Sequence, residues 1–174
     1  MNEQYLTSVL QQFRSYQAVG EKAMTQLQPE QLFFATNDAS NSIATIVKHM
    51  WGNMLSRWTN FLTEDGEKPW RKRDEEFEVK DLTDEDVILL WKEGWDCLYT
   101  AINQLQPHQL LDTIYIRNES HTVVAAINRQ LAHYAYHVGQ IVFIAKQIKH
   151  GDWDSLSIPK NKSAEFNAMK FGKK

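Results

Sequence analysis

Four stretches of the chain carry apolar residues at alternating steps of three and four, the period of a helix with one buried face. The first, about residues 2–27, sets Leu6, Val9, Leu10, Phe13, Tyr16, Gly20, Met24 and Leu27 on one stripe and stops at Pro29. The second is predicted to start at Ser40 or Asn41, either of which can cap a first turn, and to run to about residue 62. Its inward residues are Ile43, Val47, Met50, Met54, Trp58 and Phe61. A third begins after Thr83, where Thr83-Asp84-Glu85-Asp86 is a capping-box-like start, and continues to about residue 105 through Val87, Leu90, Trp91, Gly94, Leu98, Ala101, Ile102 and Leu105. The fourth spans about residues 122–149, with Val123, Ile127, Tyr134, Val138, Ile141 and Ala145 inward, and stops at Gly151.

The connections differ in kind. Residues 63–83 hold Gly66, Pro69 and many charges without a helical period, and residues 64–86 count 11 acids against 5 bases. This reads as a long solvated crossover, anchored to the helices by Trp70 and Phe77. Gln26-Leu27-Gln28-Pro29-Glu30-Gln31-Leu32 recurs, with one change, as Gln104-Leu105-Gln106-Pro107-His108-Gln109-Leu110. Each copy ends one long helix and opens a link to the next, so the chain reads as two helix-link-helix halves. Thr113-Ile114-Tyr115-Ile116-Arg117 is apolar and β-branched, hence extended. Residues 1–150 are expected to form one domain and residues 151–174 a tail, lying partly on the helices through Trp153 and Phe166 and fraying at its end.

Composition narrows the function classes. At 174 residues and 43% hydrophobic content the chain can bury one sizeable core, and a net charge of −3 without a basic stripe argues against nucleic acid and anionic lipid as partners. No apolar run reaches a membrane span and the start lacks a signal-peptide pattern, so a cytoplasmic protein is expected. A single cysteine, Cys97, excludes an internal disulfide and reads as a small packed hydrophobe.

The chemistry lies in the histidines. His133 and His137 are four residues apart in the fourth helix, which stacks them one turn apart on one face. Counted at about 100° per residue, both lie on the flank of their stripe, and His49 lies on the same flank of the second helix. Side by side, those flanks face a common pocket. Three imidazoles suit Zn²⁺, Ni²⁺, Fe²⁺ or Mn²⁺ and leave positions for water or substrate, whereas a structural zinc is closed by four protein ligands. Each histidine has an alternative as a hydrogen-bonded core or flank residue. Asn53, Arg57 and Gln140 are candidates to orient an imidazole or bind a cofactor or substrate. His121 is expected to cap the fourth helix, with a proton donor at the pocket mouth as the other reading. The sequence has no HExxH, Gly-rich phosphate loop or GxSxG.

With these residues in place the chain resembles the DinB/YfiT-like superfamily of metal-dependent four-helix bundles, and within it a bacterial branch of unknown function. The resemblance lies in Ser40-Asn41-Ser42-Ile43, His49-Met50-Trp51-Gly52-Asn53, Trp70-Arg71-Lys72-Arg73-Asp74-Glu75-Glu76-Phe77, His121-Thr122, Ile127-Asn128-Arg129, His133 through Ile141, and Ser157-Ile158-Pro159-Lys160. It implies an all-α, up-down-down-up bundle with a long crossover between helices two and three, and a homodimer. It also implies a divalent metal on His49, His133 and His137. Characterised relatives use low-molecular-weight thiols, so the resemblance implies a thiol-dependent S-transferase acting on a small-molecule electrophile in detoxification or stress. A non-catalytic metal or small-molecule binding bundle, and a structural dimer with satisfied core histidines, are the other expectations.

Overall fold

The computed structural model describes residues 2–172. The chain is mostly helical, with α1 (Asn2–Met24), α2 (Ile43–Trp58), α3 (Asp84–Asn103), α4 (Val123–Lys149) and a short α5 (Ser163–Phe171). Strands β1 (Thr113–Ile116) and β2 (Glu119–Thr122) form one antiparallel hairpin. The inward stripes of the four long helices meet in a single cluster in which Phe13, Ile43, Val47, Trp95, Leu98, Ile127, Tyr134 and Ile141 lose all contact with water. Burying each such side chain contributes about 1.5–3 kcal/mol. α2 packs along α3 and α1 along α4, with further contacts between α2 and α4 and between α1 and α3. Trp95 and Tyr134 meet at the centre, ring centroids 5.7 Å apart, and Phe13 lies 5.9 Å from Tyr134.

Side-chain caps set the helix starts. Thr83 Oγ1 accepts from the Asp86 amide while Asp86 returns a carboxylate to the Thr83 amide, the reciprocal box read from the sequence. α2 is capped by Ser42, whose Oγ accepts from Thr45 N–H, rather than by Ser40 or Asn41. Three consecutive capping residues precede Ile43, so pattern alone does not choose among them. α2 also ends sooner than expected, at Trp58, because Asn60 turns left-handed with φ 48°. Asparagine tolerates that conformation better than most residues. α4 is capped by Thr122, whose Oγ1 accepts from Ala125 N–H. His121 is therefore not the cap; it lies in β2, paired across the hairpin with Ile114.

The two copies of the repeated element form the same local structure. Pro29–Phe33 and Pro107–Leu111 are both short 3-10 helices, and the backbone amides of Gln28 and Gln106 donate to the side chains of Gln31 and Gln109, each at 2.8 Å. Leu32 and Leu110 are buried at corresponding positions.

The crossover is where the fold departs most from expectation. It is a network of ion pairs rather than a solvated strand of charge: Lys68, Arg71 and Glu76 are buried, and Arg73–Phe77 form a 3-10 turn. Phe77 lies on the His49 ring, whereas Trp70 remains more than half exposed. Ser56, at 0% exposure, accepts from Lys68 N–H and donates to the Gly66 carbonyl, fixing the crossover to α2. The hairpin turn, with Arg117 and Asn118 both at positive φ, is held by Asp65, which accepts both backbone amides at 2.8 Å. Beyond α4, Trp153 and Leu156 pack on the core and Asp154 pairs with Gln26, while α5 buries no side chain. Among the described residues, no helix is long and apolar enough to cross a membrane.

Replacing Asp65 with Ala releases two turn amides and should lower unfolding free energy by about 1–3 kcal/mol in urea titration. Faster amide exchange at Arg117 and Asn118 should accompany it. An unchanged exchange rate there would show that the clip does not hold the hairpin.

Candidate metal centre

α2 places His49, Asn53 and Arg57 at successive steps of four, and α4 places Arg129, His133 and His137 at the same step. The two rows face each other where α2 meets α4, and the crossover closes the third side. One nitrogen from each of His49, His133 and His137 lies within 4.8 Å of the others. Ring centroids are 4.6 Å apart for His133 and His137, 5.0 Å for His49 and His137, and 5.7 Å for His49 and His133.

The partners of the outer nitrogens settle which nitrogens point inward. His49 Nδ1–H donates to Glu76 Oε2 at 2.8 Å, leaving the Nε2 lone pair for the cluster. His137 Nδ1 meets Gln140 Oε1 at 2.8 Å, with the same consequence. His137 Nε2 and His133 Nε2 are 3.1 Å apart. Two ligands about 2.05 Å from a common ion stand about 2.9 Å apart at a right angle and about 3.3 Å apart in a tetrahedron, so this spacing fits a shared ion. A direct ring–ring hydrogen bond also accounts for that one distance. It does not account for the approach of His49, which among the described residues makes no hydrogen bond to either ring.

Glu76 governs the geometry of His49. It is almost fully buried and is gripped from behind by Arg71, Nε to Oε1 at 2.7 Å and Nη2 to Oε2 at 3.0 Å. Burial pushes its carboxyl up, but hydrogen bonds and charge from His49 and Arg71 outweigh this and hold it below the ordinary carboxylate value. Gly52 makes the approach possible. A Cβ at that position would sit 2.3 Å from Glu76 Oε1, well inside contact distance.

Burial and the neighbouring imidazoles and arginines push His133 from 6.5 down to about 3, and burial lowers His137 as well. Both rings stay neutral at physiological pH, which is the form that ligates a metal. Asn53 Oδ1 accepts from the Tyr134 hydroxyl, which in turn accepts from Trp58 Nε1, so Asn53 ties the site to the core. Arg57 donates to the Gly66 carbonyl and pairs with Glu67 at 3.1 Å. Gln140 reaches the centre only through His137. Sequence reasoning assigned no role to Glu76, Arg71, Arg129 or Gln130. Arg129 was visible as one more step of four before His133; Glu76 and Arg71 left no periodic trace.

A family model described as a protein of unknown function, DUF1572, matches residues 1–162. The chain belongs to this family. The DUF1572 match takes in every residue of the histidine cluster and the crossover and stops just before α5. No curated protein matches the chain.

Two outcomes follow from this geometry. Glycine to alanine inside a helix ordinarily stabilises by about 1 kcal/mol, but Gly52→Ala should destabilise by about 2–4 kcal/mol because it dislodges a buried, paired carboxylate. A stabilised variant in thermal or urea unfolding would contradict the role given to Gly52. For His133, the unfolded chain takes up a proton near 6.5 and the folded chain only near 3, so the folded state binds fewer protons between those values. Stability of the metal-free protein should therefore fall as pH drops through that window, and fall less in His133→Gln. Imidazole NMR at pH 5 should find His133 neutral; a protonated ring would refute the shift.

Proposed function

We propose that His49, His133 and His137 hold one divalent ion, Zn²⁺, Ni²⁺, Fe²⁺ or Mn²⁺, and that the protein is a thiol-dependent S-transferase of the DinB/YfiT type acting on electrophilic small molecules. The observation that carries this reading is the convergence of three imidazoles, two of which, His49 and His137, have their outer nitrogens held by Glu76 and Gln140. The chain supplies three donors of this kind and, among the described residues, no fourth in the cluster, which suits a reactive rather than a structural site. When bound, such an ion supplies Lewis acidity that lowers the pKa of a thiol or water at its open positions.

The protein's own groups prepare the site. Glu76 fixes His49 in the tautomer with Nε2 free, and Arg71 keeps Glu76 ionised and in place. Gln140 does the same for His137, and itself donates to the Tyr136 hydroxyl. Phe77 lies on the His49 ring, centroids 5.5 Å apart, and shields that face from water. The contacts of α1 with α4 and of α2 with α3 suit the up-down-down-up bundle that the resemblance implies. For the homodimer it implies, the exposed Phe34, Tyr136 and Phe143 offer an apolar face.

Elemental analysis of protein purified without a polyhistidine tag should find about one divalent ion per chain, and almost none in His49→Ala or His137→Ala. Glu76→Gln should keep the site but weaken metal affinity by about 10–100-fold. Unchanged metal content in both histidine variants would end the reading. With metal present, conjugation of low-molecular-weight thiols to monochlorobimane should be catalysed; metal without turnover for any thiol would favour a non-catalytic binding bundle.

A further inference from the structure

A cavity of about 190 Å³ opens beside the imidazoles of His49 and His133. Arg57, Arg71, Arg73, Arg117 and Arg129 line it, and no carboxylate does. The balancing acids stand behind these arginines. Glu67 pairs with Arg57 and Arg117 at 3.1 Å and lies 3.5 Å from Arg71, while Glu76 takes Arg71 from the other side. Three of the five guanidinium groups thus share two carboxylates, which leaves a local positive excess in a chain whose net charge is −3. Arg129 and Arg73 have no carboxylate partner among the described residues, and Arg73 lies over the Phe77 ring at 5.4 Å.

Orphaned polar atoms gather at the same place. Arg57 is only 7% exposed, yet its Nε–H meets no acceptor; Gln130 is 3% exposed, and its Oε1 meets no donor. Buried groups of this kind cost about 1–3 kcal/mol each when left unpaired, and folded proteins leave few of them. Arg57, Gln130 and His133, whose Nδ1 is also unpartnered, all line this small cavity, and together they suit a ligand that supplies both an acceptor and a donor.

We propose that this cavity seats the anionic group of the substrate, a carboxylate or phosphate next to a hydroxyl or amide, whose reacting end then reaches the three imidazoles. Arg57 and Arg129 grip the anionic oxygens, and Gln130 accepts from the neighbouring O–H or N–H. The placement of the reacting end rests on the metal-site reading above. The anion seat itself rests on the arginines and the unpaired atoms alone.

The test uses inorganic phosphate, glycolate and its neutral counterpart glycolamide, at ionic strength held constant with sodium chloride. Thermal unfolding and the Arg57 Nε–H resonance are followed in wild type, Arg129→Gln, Arg73→Gln and His137→Ala. Phosphate or glycolate should stabilise the protein saturably and shift the Arg57 resonance, with glycolamide inert. Arg129→Gln should weaken this binding by about tenfold, the loss of one charge-assisted hydrogen bond. Tighter binding of phosphate would assign a phosphate ester, and tighter binding of glycolate a carboxylate. His137→Ala removes a metal donor that does not line the cavity and should leave anion binding intact, so failure of the metal reading and failure of the anion seat give different results. No saturable response to either anion in wild type, or equal affinity in wild type and both arginine variants, would overturn the proposal.

Discussion

The Glu76 carboxylate, clamped between Arg71 and His49, is the interaction on which the rest of this site depends. A buried carboxylate is costly unless it is paired and hydrogen-bonded, and both of its oxygens are used here. That requirement explains several otherwise unrelated features. Arg71 must be buried with it, position 52 must lack a side chain, and the crossover must fold back onto α2 instead of swinging free. In return the pair fixes an imidazole that would otherwise rotate about its own bonds.

The surrounding scaffold follows the same logic of satisfied polar groups. Ser56 and Arg57 take the Gly66 carbonyl, Asp65 takes the hairpin turn, and the Gly66 amide donates to Tyr115. α2, α4, the crossover and the hairpin therefore meet at one place, and the cavity lined by arginines lies among them. Beneath it the site joins the dry core through the chain Asn53, Tyr134 and Trp58. Sequence-distant elements are held together here by polar contacts, several of them buried, so the site is sensitive to single substitutions that break one of them.

What could be read from the sequence was what repeats. The four helical stripes have a period, the Thr83 box has a fixed spacing, and the two Gln-Pro elements share a string that folds the same way twice. The shared flank position of His49, His133 and His137 was also a matter of period, and the structure brings these rings together. The partners of those rings were not legible. Glu76 stands 27 residues from His49, within a run of mixed charge whose pairing depends on how a loop without periodicity closes in space. The early end of α2 depended on one left-handed asparagine, and the choice of Ser42 as cap on which of three similar residues had the right backbone angle. Arg129 and Gln130 were passed over because a polar residue on a helix flank looks the same whether it faces solvent or a cavity.

Membership in DUF1572 names no reaction, so the functional account stands on the arrangement of side chains: three convergent imidazoles, a buried carboxylate that orients one of them, and a cationic cavity alongside. Its central claim is that the imidazoles share an ion. The most direct measurement is anomalous diffraction at the metal edges from crystals of untagged protein. The account expects one peak within about 2.0–2.2 Å of Nε2 of His49, His133 and His137. Rings joined by direct hydrogen bonds with no anomalous peak between them, in protein supplied with metal throughout purification, would contradict it.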